Sequence, residues 1–123
     1  MSDRFPDIEI YIKRPALADI VGWLDRRFGV RDTRRQGETL ICSLGDAGAE
    51  CFIVENAVKG GFTSVWFRSG DTPWPSDRDC ALEASAAFGL EVRCSTGTWQ
   101  EEDDDSTGWI RITPAGESNI NWL

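Results

Sequence analysis

The sequence predicts an α+β fold, a two-layer sandwich of the ferredoxin-like kind with two helices on one face of a mainly antiparallel sheet. Three observations carry this expectation. Short runs alternate apolar and polar residues, as half-buried strands do. Two longer runs place apolar residues at helical spacing. The two strand–helix units also resemble one another, each closing on Phe-Gly-apolar, at Phe28-Gly29-Val30 and Phe88-Gly89-Leu90. Such duplication over an antiparallel sheet is the split βαβ layout. Residues 1–123 are read as a single domain, a length typical for one.

Taken in order, Ile8, Ile10 and Ile12 alternate with Glu9, Tyr11 and Lys13 and read as a first strand. Pro15 opens a helix in the first turn, where its missing N–H costs least. Leu17, Ile20, Val21, Leu24 and Phe28 form its apolar stripe, Arg26 and Arg27 complement its C-terminal dipole, and Gly29 ends it. Arg31–Arg35 reads as a strand or a long bend. Thr39–Leu44 and Glu50–Glu55 flank a Gly/Asp turn and read as a hairpin, with Phe62–Ser69 as the next strand. A second helix follows Pro75, with Ser76 as N-cap and Asp79 as a short capping-box acid. Cys80, Ala81, Ala84, Ala87 and Phe88 are its narrow apolar face, and Gly89 terminates it. Leu90, Val92 and Cys94 alternate into another strand. Trp109–Thr113 and Asn119–Trp122 read as a final hairpin about Pro114-Ala115-Gly116, giving five to seven strands in all. The competing architecture is a strongly curved sheet wrapped around the first helix.

Composition narrows the function classes. The net charge is −8 with no histidine. Residues 1–60 hold nine Lys/Arg against ten Asp/Glu, whereas residues 61–123 hold four against eleven. Such a field repels nucleic acid and anionic lipid and attracts basic proteins. Residues 1–20 contain four acids and no continuous apolar stretch, and the longest apolar run is Cys51–Val54, so neither a signal peptide nor a membrane span is expected and the location is read as cytoplasmic. Cys42, Cys51, Cys80 and Cys94 are widely spaced and sit mostly within apolar patterns, which reads as buried reduced thiols. Without histidine, a Ser-His-Asp or Cys-His arrangement and an imidazole-ligated metal are excluded. No phosphate-binding glycine loop is present. No enzyme activity and no cofactor are expected, and oligomeric state is left open.

Two motifs invite chemistry and fail. Asp103-Asp104-Asp105-Ser106-Thr107 matches the Asp-x-Asp-x-Thr nucleophile loop of haloacid-dehalogenase-type phosphatases, but Trp99-Gln100-Glu101-Glu102 before it is polar where that loop needs a buried apolar strand. The same acids match the first half of an EF-hand loop, yet Pro114 stands where the bidentate Glu belongs. What remains is a solvated acidic loop, Glu101, Glu102, Asp103, Asp104 and Asp105.

Two loop tryptophans offer a recognition surface. Trp74 lies between two prolines in Asp71-Thr72-Pro73-Trp74-Pro75, and Trp99 precedes the acidic run. Trp74 either folds back onto the helix near Cys80 as a hydrophobic staple or stands exposed as an anchor. If both loops share one end of the sheet, Trp74, Trp99, Asp71 and the acids Glu101–Asp105 form an aromatic centre with an acidic rim. That surface suits a basic protein partner, as in small acidic proteins that neutralise basic toxins, an analogy of class only. The competing expectations are a small-molecule or cation-binding domain, using a pocket lined by Trp23, Trp66 or Trp109, and a self-associating structural protein. Calcium titration followed by NMR is expected to leave the amides of Glu101–Gly108 unmoved; a saturable shift at micromolar metal overturns the solvated-loop reading.

Overall fold

The computed structural model describes residues 7–69, 72–95, 108–120 and 122. Its elements are β1 (Ile8–Lys13), α1 (Leu17–Phe28), β2 (Val30–Gln36), β3 (Thr39–Leu44), β4 (Ala49–Val58), β5 (Phe62–Phe67), α2 (Asp77–Phe88), β6 (Val92–Ser95), β7 (Trp109–Thr113) and β8 (Gly116–Ile120). The fold is α+β, with eight strands where the sequence suggests five to seven. The added strand is β2, whose polar run carries no alternation and pairs through its backbone with β3.

The strand order is β2-β3-β4-β5-β1-β6-β7-β8, and every neighbouring pair is antiparallel. By counting antiparallel steps, β1 and β2 run parallel with three strands between them, and β5 and β6 run parallel with β1 between them. Each helix spans one of these split pairs.

The core lies on one face of the sheet. Ile8, Ile10 and Ile12 are fully buried there with Val65 and Phe67 of β5, Cys42 of β3, Cys51 and Ile53 of β4, and Val92 and Cys94 of β6. Helix α1 adds Ile20, Trp23 and Leu24, and α2 adds Cys80, Ala81 and Ala84. The small residues of α2 allow the close approach that its contacts with β6, β1 and β7 require. Four buried free thiols bear out the expectation for the cysteines. Burial pushes Cys51 and Cys80 well above the usual thiol range, so the dipole at the start of α2 does not activate Cys80.

Local signals explain the helix ends. The Ser76 hydroxyl accepts from the Asp79 N–H and donates to Oδ2 of Asp79 at 2.8 Å. Gly89 takes the left-handed conformation at φ 68°, ψ 30°, closing α2 with a bond from its N–H to the Ser85 carbonyl. Helix α1 departs from expectation at both ends. Pro15 precedes its cap residue, Ala16, and Gly29 sits at φ 82°, ψ 111°, outside the left-handed helical region.

Trp74 is a core residue, with 4% of its surface exposed. Its ring stacks on Trp23 at 5.7 Å and meets Phe67 at 5.1 Å and Phe28 at 5.7 Å. Its Nε1–H donates to Glu83 at 3.0 Å, and the Arg27 guanidinium lies 5.5 Å from the ring. The exposed-anchor expectation is therefore corrected: the indole folds inward against Trp23 and Phe28 of α1 and Phe67 of β5, with its N–H on Glu83 of α2. Replacing Trp74 by alanine is expected to cost about 3–5 kcal/mol of stability, read as a lower urea midpoint with an unchanged slope.

Candidate interaction surface on the second face of the sheet

Alternation along each strand sends every second side chain to the face away from the helices. The pairing registers align a row there: Arg34 of β2 against Ile41 of β3, then Phe52 of β4, Trp66 of β5 and Glu9 of β1. The row beside it contains Val54, Ser64, Tyr11, Arg93, Arg111 and Ser118. Ile41 is buried on this face by its neighbours, while Phe52, Trp66 and Tyr11 are half-buried.

At the β1 start, Trp66 packs on Phe52 at 5.0 Å and its Nε1–H donates to Oδ2 of Asp7 at 2.7 Å. Glu9 Oε2 accepts from the Ser64 hydroxyl at 3.0 Å and the Tyr11 hydroxyl at 3.2 Å. Burial, reinforced by the charge of Glu9 and that bond, pushes the Tyr11 phenol up to about 12. The Glu9 N–H lies beyond the pairing with β6, which engages only Tyr11 and Ile12. Asp77, in the first turn of α2, accepts from it at 3.1 Å. Burial raises the Asp77 carboxyl to about 7 against that hydrogen bond, with the charges of Asp7 and Glu9 adding to the rise.

At the other end of β1 the sign reverses. Glu91 faces Arg93 at 2.7 Å, Arg111 at 3.2 Å and Lys13 at 3.9 Å. Burial opposes ionisation of Glu91, yet the Arg93 hydrogen bond and the three cations hold its carboxyl below the usual range. The Arg93 guanidinium lies 4.7 Å from the Phe62 ring and 4.8 Å from Trp122, and Trp122 meets Trp109 at 4.9 Å and Tyr11 at 5.5 Å. The face is thus an aromatic strip with carboxylates at one end and guanidinium groups at the other.

Of the residues singled out from sequence, Asp71, Trp99, Glu101, Glu102, Asp103, Asp104 and Asp105 lie outside the described residues. Their brackets are placed. Ser95 and Trp109 are register partners, on the Glu9 side of the Tyr11–Arg93 pair. Thr72 through Ser76 lead into α2 at the Asp77 end. The described flanks of both stretches thus lie at the end of the sheet that carries Asp7, Glu9 and Trp66. Trp23 belongs to the helix-side core while Trp66 and Trp109 lie on the opposite face, so no one pocket joins all three. Clefts open beside Phe28, Leu44 and Phe67, with a volume of about 200 Å³, and between α2 and the β7–β8 hairpin beside Leu82, Ala86 and Pro114, with a volume of about 380 Å³; typical ligand sites run from roughly 300 to 1,000 Å³. No group of metal-ligating side chains occurs among the described residues, and none of their helices is long and apolar enough to cross a membrane.

Sequence reasoning names Trp66 as a pocket-lining candidate and not as part of this surface, because β5 carries large apolar residues on both parities. Comparison with known proteins finds no matching family model, no matching curated protein and no matching solved structure.

Between pH about 4 and about 7 the folded chain keeps a proton on Asp77 that the unfolded chain has released. The stability this group contributes is therefore fully present below about pH 4 and is lost as the pH rises through about 7. The loss amounts to up to about 4 kcal/mol. Asp77→Asn keeps an acceptor for the Glu9 amide without the charge. Chemical denaturation across this range is expected to show the variant gaining on the parent as pH rises; parallel curves overturn the assignment.

Proposed function

We propose that this protein is a binding module for a basic protein partner, engaged through the β1–β5 region of the second face. The observation that carries the reading is Trp66, a half-buried indole held by the Asp7 carboxylate beside Glu9. It stands at the sheet end where Ser95 and Trp109 bracket five consecutive acids in the sequence. A large aromatic group with carboxylates around it suits a lysine- or arginine-rich surface, since aromatic residues anchor interfaces and opposite charge steers approach. The overall charge of −8 acts in the same direction and disfavours nucleic acid. The absence of histidine supports a non-catalytic role. We also read the strand order β6-β1-β5-β4, with its two split parallel pairs, as a ferredoxin-like centre widened at both edges, with both helices in one layer.

The test is titration of purified, folded proteins of pI above about 9 into isotope-labelled chain. Amide shifts are expected at Glu9, Tyr11, Phe52 and Trp66, with affinity falling as salt rises. Trp66→Ala is expected to weaken a bound partner by about 30-fold or more, the effect of losing a hot-spot aromatic. Binding that leaves these amides unmoved, or none by any basic protein tested at low salt, overturns the proposal.

A further inference from the structure

We propose that two copies of this chain associate through the outer edge of β8, continuing the sheet across a two-fold axis at Ser118. The described sheet ends in β2 and β8. The β2 edge is defended: Arg31, Asp32, Arg34 and Arg35 are all exposed, and a run of charged side chains keeps an edge strand from pairing. The β8 edge, Gly-Glu-Ser-Asn-Ile, is exposed over its first four residues and carries one charge, Glu117. That carboxylate is already held by a two-pronged bond from Arg78, at 3.1 and 2.8 Å.

The register makes β8 complementary to itself. Thr113 and Gly116 close the β7–β8 hairpin about Pro114 and Ala115, so hydrogen-bonded pairs alternate from there. Gly116, Ser118 and Ile120 bond to β7, and Glu117 and Asn119 turn their N–H and C=O groups outward. An antiparallel match centred on Ser118 joins the outward groups of Glu117 to those of Asn119 in the second copy, and the reverse. Glu117 and Asn119 stand opposite the buried Ile112 and Ile110, so their side chains share the helix side of the sheet. Each carboxylate then faces an amide donor, and no like charges are opposed. A contact this short lies below the roughly 1,200 Å² of stable interfaces, so the dimer is weak and concentration-dependent.

Sedimentation velocity from about 10 µM to about 1 mM tests this directly, a span that covers weak association. The parent is expected to move from monomer towards dimer. Asn119→Glu sets carboxylate against carboxylate twice and is expected to raise the dissociation constant about two- to thirty-fold. Asn119→Lys faces Glu117 twice and is expected to lower it by a similar factor, an effect lost in high salt. Asn119 is exposed, so both variants retain the parent circular dichroism spectrum. A parent that stays monomeric throughout overturns the proposal, as does a shift of both variants in the same direction.

Discussion

The alternation of β1 constrains everything else in this molecule. It is paired on both sides, by β5 along its full length and by β6 at Tyr11 and Ile12. A strand held on both sides cannot rotate one residue without exposing its whole apolar set. With Ile8, Ile10 and Ile12 fully buried against both helices, Glu9, Tyr11 and Lys13 have one place to go. The core therefore dictates the second face: an acid, a phenol and a cation in line, around which the carboxylate end and the guanidinium end are organised.

The aromatic residues divide between the two faces for reasons of partner chemistry. Trp74 goes inward because both its ring and its N–H are satisfied there. Glu83 accepts from Trp74 while forming a forked bond with Arg27, and the Arg27 guanidinium lies near the ring. The arrangement ties α1 to α2 and to the loop between β5 and α2. The Arg27 bond chiefly holds the Glu83 carboxyl below its usual range. Trp66, on the other parity of β5 from Phe67, finds its partner in Asp7, ahead of β1, and stays half-buried. An inward and a surface indole thus differ by which carboxylate lies within reach of the N–H.

What could be read from the chain follows the range of the interactions involved. The isoleucine alternation of β1, the Ser76–Asp79 cap and the Gly89 terminator are written within a few residues, and each stands where the sequence places it, whereas the last hairpin turns tighter than expected, with β8 starting at Gly116 rather than Asn119. Strand β2 was only half legible, because an exposed edge strand needs no apolar face. The insertion of β1 between β5 and β6 depends on partners 49 to 59 residues away along the chain on the β5 side, which local patterning does not encode. The same limit hid the candidate surface. The Trp66–Asp7 and Glu9–Asp77 contacts span 59 and 68 residues, and nothing near Trp66 in the sequence marks its side of the sheet.

Asp77 joins fold and surface through one carboxyl. It satisfies a β1 amide that lies beyond the pairing with β6, a structural task an asparagine could perform. As an acid it also experiences the charges of Asp7 and Glu9, which help to hold its proton. A cation docked beside those two carboxylates would offset their field and favour release of that proton. By linkage, ionised Asp77 would then favour the docked cation to the same extent. The acidic end of the sheet thus links the protonation of a helix-side carboxyl to the charges carried on the second face.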